Sequence, residues 1–266
     1  MKILVTGHDG FIGSRIVKRY KELGHTVWVS DKDLFDVYYD EDLEMYTSMG
    51  KGIDVINHHA AQTDVRKSGE DPTYDAQQNI MGTLKVLEIA KKYKVKKLIY
   101  ASSGGVCYGN PESLWEIRKS EKDQTKPISH YGLSKLVGEK YIELSDIPYT
   151  ILRYSNVWSE DCSKGIYAVL RDNPEPVIFG DGTSTRDYVH VDDVVEANVL
   201  ALDGGLEETI NIGSGREVSI NQLVEKFGSA PIYDERIKTE VHRIFLDVTK
   251  AKTVLGWIAE KDIIRR

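Results

Sequence analysis

The run Ile3-Leu4-Val5 leads directly into Gly7, Gly10 and Gly13, and around the third glycine Ile12, Ile16, Tyr20 and Leu23 begin to recur on one helical face. A strand that turns through three glycines into a helix leaves few folds open. Glycine permits the tight turn, lets the backbone approach a pyrophosphate and lets strand and helix pack closely, while the helix N-terminus offers free N–H groups to the anion. The spacing is G-x-x-G-x-x-G, not G-x-G-x-x-G, and three glycines also suit a purely structural turn. Asp31 separates the two readings. It follows a second apolar run, Val27-Trp28-Val29, and lies about 20 residues past the glycines, where a carboxylate accepts hydrogen bonds from an adenosine ribose and repels a 2'-phosphate. Together these features predict NAD as cofactor and disfavour NADP.

Further apolar runs at Val55-Ile56, Leu98-Ile99-Tyr100 and Thr150-Ile151-Leu152 alternate with helical patterns. The helices are expected around Leu43, Tyr46 and Met49, from Asn79 to Ala90, and from Tyr131 to Leu144. Strand and helix in alternation predict an α/β fold, a doubly wound parallel sheet covered on both faces, with right-handed crossovers. After Leu152 the pattern breaks up at Pro174, Pro176, Gly180 and Gly182, then resumes with Tyr188-Val189-His190-Val191, a helix capped by Asp192, and a strand at Thr209-Ile210-Asn211-Ile212. The expected organisation is a dinucleotide-binding domain over 1–155, to which the chain returns at about 187–213, and a smaller, discontinuous substrate-binding lobe within 156–266.

Composition removes several function classes. The 35 Lys and Arg against 42 Asp and Glu give a formal charge of -7, which attracts neither nucleic acid nor an anionic membrane. The one basic run, residues 91–97, reads as a solvated helix end. No segment reaches the ~18 uninterrupted apolar residues of a membrane span, and the first apolar run is too short for a signal peptide, so the expected location is the cytoplasm. Cys107 and Cys162 lack any paired-ligand spacing, and His58 and His59 leave a strand on opposite faces, so no metal site is expected. His59 and Cys107 read as packed core residues.

Tyr131 and Lys135 stand four apart at a helix start, which places phenol and ammonium on one face. A neighbouring cation favours the phenolate and brings the phenol towards general-base duty. Leu98 to Tyr100 ends in Ala101-Ser102-Ser103, and ligands of open parallel sheets bind beyond the carboxyl ends of strands. Either serine hydroxyl is placed to bind a reacting oxygen, Ser103 in preference to Ser102.

Taken together, Thr6 to Gly13, His58-His59-Ala60-Ala61-Gln62, Asn79, Ala101 to Gly105, Tyr131 with Lys135, Arg153 to Val157 and Gly180 to Tyr188 resemble, in this order, the extended short-chain dehydrogenase/reductases. The nearest branch is the NAD-dependent epimerase/dehydratase family, especially its UDP-glucose 4-epimerases. The resemblance implies a Rossmann domain in which Gly7, Gly10, Phe11, Ile12, Gly13, Asp31, Ala60, Ala61 and Asn79 hold NAD. It makes Tyr131 the base, Lys135 a bridge between cofactor ribose and Tyr131, and Ser103 the partner of the reacting hydroxyl. It brings Asn156 to the sugar or diphosphate and Arg186 to the diphosphate of a UDP-hexose, with Arg236 a weaker candidate; it also makes His58 the strand-end histidine near the cofactor and gives an apolar residue as usual where His59 stands. A homodimer formed through the helices of Asn79–Ala90 and Tyr131–Leu144 is also implied. Related dehydratases, decarboxylases and reductases, or a non-catalytic dinucleotide sensor, are the alternatives. Gly104, Gly105 and Val106 after Ser103 cannot transfer protons, which disfavours a 4,6-dehydratase. Only the 28 residues from 158 to 185 separate Val157 from Arg186, so the lobe is expected to be small.

Overall fold

A computed structural model describes residues 1–30, 52–113, 117–235 and 240–264. Asp31, Arg236 and the helix expected around Leu43 to Met49 lie outside the described residues. The main sheet contains β1 (Lys2–Thr6), β2 (Thr26–Ser30), β3 (Val55–His58), β4 (Lys97–Ser103), β5 (Tyr149–Tyr154) and, late in the chain, β9 (Glu208–Ile212). Among the described residues the strand order is β9-β5-β4-β3-β1-β2, and every neighbouring pair is parallel.

The order reverses beside β1: β2 lies on one side of it and β3 on the other. Connections leaving β1 and β3 therefore diverge to opposite sides, and a crevice opens at their carboxyl ends. The register sets Thr6 beside His58 at its mouth.

Alternation along the strands divides the interior in two. Ile3, Val5, Val55 and Leu152 face α1 (Gly13–Glu22) and α6 (Val191–Leu200), meeting Ile16, Tyr20, Val194 and Ala197. Leu4, Ile56, Leu98 and Ile151 face α3 (Gly82–Lys92) and α4 (His130–Glu143), meeting Val86, Leu87 and Ile142. The approach of α4 to the sheet depends on Gly138, where a Cβ would stand 2.4 Å from the Tyr100 hydroxyl oxygen.

Beyond β5 the chain forms β6 (Asn156–Trp158), α5 (Gly165–Asp172), β7 (Val177–Phe179) and β8 (Tyr188–His190), with β6 and β8 pairing in parallel. Together with α7 (Ile220–Phe227) they enclose a second core of Trp158, Leu170, Ile178, Tyr188 and Leu223. The chain then crosses back in a way not read from the sequence, since Ala251, Leu255 and Trp257 pack in the core beneath α1 and α6. Trp257 secures this return by donating Nε1–H to Asp193 O at 2.8 Å.

Two local expectations are corrected. The cap of α6 is His190, whose Nδ1 accepts from Asp192 N at 3.1 Å; the Asp192 carboxylate instead meets Lys261 at 2.5 Å. The basic run is divided as well. Lys91 and Lys92 close α3, but Lys97 begins β4 and is 5% exposed, its ammonium donating to Ala201 O and Gly204 O at the end of α6.

Candidate active site

The crevice widens into a cleft of about 700 Å³ whose wall includes Gly7, Gly10, Phe11, Ile12 and Gly13, the segment His59 to Thr63, and the end of β4. Close approach explains the glycines. Gly7 takes φ 73°, and a Cβ there would lie 2.6 Å from Ala60 N; one on Gly13 would lie 2.1 Å from Gly7 O. Larger residues would push the turn away from α1. No side chain caps α1 and no acidic residue occupies its first turn, so its free N–H groups face the cleft unopposed by local negative charge. Glycine cradle and uncapped helix suit a dinucleotide pyrophosphate, and Ala60 and Ala61 form the facing wall. Asn79 stands behind this wall. Its amide accepts from Gln62 N at 2.8 Å and donates to Gln62 O, Asp75 Oδ1 and Ser134 Oγ at 3.0 Å each, so its side chain ties the loop to α4 and does not line the cleft.

Ser103, Tyr131 and Lys135 share this cleft. Ser129 caps α4 by accepting from Gly132 N at 3.1 Å, and Tyr131 N donates at 3.1 Å to Ser68 Oγ of α2 (Val65–Glu70), which together pin the helix start. Burial pushes the Tyr131 phenol well above its ordinary range; the adjacent Cys107 adds to the rise, and a hydrogen bond with Ser103 opposes it. Burial also lowers Lys135 to about 8. The expectation that Lys135 already draws the Tyr131 phenol down is not met in this structure. The ammonium instead lies 4.1 Å from the centroid of the Tyr100 ring, a cation–π contact.

Ser102 also borders this cleft, and the hydrogen bond it makes is what distinguishes it from Ser103. Its hydroxyl donates to Glu139 Oε1 at 2.5 Å, and Glu139 holds Arg153 through a buried two-pronged pair at 2.9 and 2.6 Å. Arg153 continues to the Tyr108 hydroxyl at 2.9 Å. Glu139 stands one turn beyond Lys135 on α4, so this network braces the helix from behind, and Ser102 is spent in it.

A second cleft of about 430 Å³ opens from the first through Val157, Lys164 and Gly165. Asn156 and Arg186 line it, as do Trp158, Tyr167 and Phe179. A Cβ on Gly105 would lie 3.3 Å from Asn156 Oδ1 and 4.0 Å from Ser103 Oγ, so the amide and the hydroxyl border the same space where the clefts meet. Arg186 donates to Thr185 O at 2.8 Å and His242 O at 3.1 Å, which holds its guanidinium on the wall. Sequence reasoning missed Arg66, which spans the mouth: it pairs with Glu240 at 3.2 Å and lies 4.5 Å from the Phe179 ring centroid. Nothing local in sequence joins residues 66, 179 and 240. The two histidines are also reversed. His58 is buried away from the cleft, between Thr6 and Thr83, whereas His59 is part of the cleft wall. Among the described residues no group of three or more His, Cys, Asp or Glu could hold a metal, and no helix is long and apolar enough to cross a membrane.

Such a site, a dinucleotide cradle beside a Ser-Tyr-Lys cluster and a second cleft with an arginine, is found where comparisons with known proteins point. Residues 3–213 match the family described as the NAD dependent epimerase/dehydratase family, and the chain belongs to it. It is 40% identical, over 98% of its length and 94% of the relative, to a Methanocaldococcus jannaschii protein provisionally named a UDP-glucose 4-epimerase. Among solved structures it resembles the UDP-glucose 4-epimerase of Thermotoga maritima with UDP-glucose, at 34% identity and a TM-score of 0.87 over 99% of this chain and 95% of that one. It also resembles the Thermus thermophilus UDP-glucose 4-epimerase in complex with NAD, at 30% identity and a TM-score of 0.86 over 99% and 96%.

Proposed function

We propose that the protein is an NAD-dependent epimerase that inverts carbon 4 of a UDP-hexose, of the UDP-glucose/UDP-galactose kind. The observation that carries this reading is the hydrogen-bonded pair of Ser103 and Tyr131, which shares the larger cleft with Lys135 and has Asn156 of the smaller cleft close to Ser103. Gly7, Gly10, Phe11, Ile12, Gly13, Ala60 and Ala61 hold NAD, with Asp31 on its adenosine ribose. Bound there, NAD supplies the redox chemistry at sugar carbon 4. Tyr131 takes the proton of the sugar 4-hydroxyl as carbon 4 is oxidised and returns it on reduction. Ser103 orients that oxygen. The Lys135 ammonium, in the same cleft, stabilises the phenolate and offsets the burial that holds the phenol high. Arg186 binds the diphosphate, for which a guanidinium fork is suited, and Asn156 steadies the sugar or diphosphate.

The 4-keto sugar must turn over before it is reduced on the other face, which needs space around the sugar and firm hold on the diphosphate. Two joined clefts supply both. The assembly is a homodimer, supported by Met81, Leu133, Tyr141 and Leu144, apolar residues 40 to 85% exposed on the two helical stretches expected to pair. A cytoplasmic location accords with Cys107 and Cys162 as free, buried thiols. Incubation with NAD and UDP-glucose, and separately UDP-galactose, followed by NMR of the sugar ring, tests the reading. One mixture of C4 epimers reached from both sides is expected; a 6-methyl doublet, signalling loss of water, overturns it.

A further inference from the structure

His58 and His59 are neighbours with opposite fates, and hydrogen-bond donors decide both. Thr83 Oγ1 gives its hydrogen to Asn79 O at 2.7 Å, so it accepts from His58 Nε2 at 3.3 Å; His58 Nδ1 then accepts from Thr6 Oγ1 at 2.7 Å. Both ring nitrogens of His58 are satisfied within the protein.

His59 ends a different chain. Asn198 Nδ2 donates to Val194 O at 2.8 Å, and because a carbonyl only accepts, this contact fixes the orientation of the amide. Asn198 Oδ1 therefore accepts from Asn57 Nδ2 at 3.0 Å, and the other Asn57 hydrogen goes to the Tyr20 hydroxyl at 2.8 Å, which in turn donates to Asn198 O at 3.1 Å. The second Asn198 Nδ2 hydrogen goes to the Tyr154 hydroxyl at 2.8 Å. Tyr154 then has one hydrogen left for His59 Nε2 at 3.0 Å. Burial lowers His59 to about 3, so the ring is neutral near pH 7 and carries a single proton. With Nε2 accepting, that proton resides on Nδ1, which is buried and has no hydrogen-bond partner in the protein. A buried N–H left unpaired costs on the order of 1–3 kcal/mol, and it lies here on a residue of the cleft wall, against the Gly7 turn.

We propose that His59 Nδ1–H donates to a phosphate or ribose oxygen of the bound dinucleotide, with the donor held in place by the chain Tyr20, Asn57, Asn198 and Tyr154. His59 is then a cofactor-binding residue, in a position where the resemblance leads one to expect an apolar side chain. The inference rests on the reading of this cleft as the NAD site, and the test keeps the two apart.

Asparagine reproduces the Nδ1 position of histidine and glutamine the Nε2 position. NAD affinity is measured by calorimetry on dinucleotide-free protein, unsubstituted and as His59→Asn and His59→Gln. His59→Gln keeps the Tyr154 contact but loses the donor, so it weakens NAD roughly tenfold with little change in Tm. His59→Asn keeps the donor but loses Tyr154, so NAD affinity stays within about twofold while Tm falls. Equal losses in both variants, or affinity unchanged in His59→Gln, overturn the proposal while leaving the NAD site standing. No binding by the unsubstituted protein overturns the site itself. Nitrogen-15 NMR of the unsubstituted protein gives an answer independent of how the variants fold: the His59 proton belongs on Nδ1 and shifts downfield when NAD is added, and a proton on Nε2, or one unmoved by NAD, overturns the proposal.

Discussion

The two clefts are built from different materials. The larger is walled by the carboxyl ends of β1, β3 and β4 and by the start of α4, so its groups are set by backbone that the main sheet already holds rigid. The smaller is walled by side chains from α5, β6, β7 and the segment around Glu240, which meet only after the chain has crossed between its two cores. Chemistry is expected where the frame is stiff, because proton transfer tolerates little misplacement. Recognition of a polar, variable ligand belongs where side chains from several segments can be exchanged without disturbing that frame. The two clefts should therefore respond differently to substitution.

The sharpest break is Tyr131→Phe. Removing the one hydroxyl assigned to proton transfer should lower turnover by a factor on the order of 10² to 10⁴, with NAD affinity and Tm nearly unchanged. Turnover within tenfold of the parent would remove Tyr131 from the chemistry, and with it the functional division between the clefts.

Arg186→Leu acts on the other side. Loss of a charge-assisted contact to the diphosphate should raise KM for the UDP-sugar roughly 10- to 100-fold while the NAD dissociation constant stays put. If NAD affinity falls in parallel, the clefts are one site and not two. A smaller shift is expected from Asp31→Ala, which should weaken NAD relative to NADP by roughly tenfold, since it deletes both an acceptor for the ribose diol and a repulsion towards the phosphate. Titration with each dinucleotide measures the ratio, and an unchanged ratio refutes the assignment.

The same division explains how much could be read from sequence. Everything in the larger cleft that depends on near neighbours was legible: the glycine turn after Ile3 to Val5, the serines ending the run Leu98 to Tyr100, and the i,i+4 spacing of Tyr131 and Lys135. What depends on partners distant in the chain was not. Choosing Ser103 over Ser102 on structural grounds needs Glu139 and Arg153, and excluding Asn79 from the wall needs Gln62 and Ser134. The roles of His58 and His59 turn on strand parity. Asn57 and His59 face Tyr20, Asn198 and Tyr154 while His58 faces Thr83, and only the observed packing reveals which of those faces reaches the cleft. The smaller cleft was legible only at Asn156 and Arg186, through family resemblance; the Arg66–Glu240 pair joins residues 174 positions apart with no local signature.

The finest comparison is within the larger cleft, between Lys135 before and after it gains partners. Burial places its folded pKa near 8, below the unfolded value of 10.5, so between those limits the unfolded chain binds more protons than the folded one. Stability must then rise with pH across that window as the cost of the buried charge is relieved, by about 1 kcal/mol from pH 8 to pH 9. Lys97, lowered for the same reason to about 8, contributes a slope of the same sign, so the total alone is not diagnostic. The difference is. Urea unfolding of the parent and of Lys135→Met at pH 8 and pH 9 should show the parent gaining about 1 kcal/mol more than the variant. Saturating NAD should abolish that excess, because acceptors on the cofactor ribose and the Tyr131 phenolate favour the ammonium and raise its pKa out of the window. An excess that persists with NAD bound would mean that Lys135 stays on the Tyr100 ring and never reaches the cofactor, leaving Tyr131 without the cation its assigned role requires.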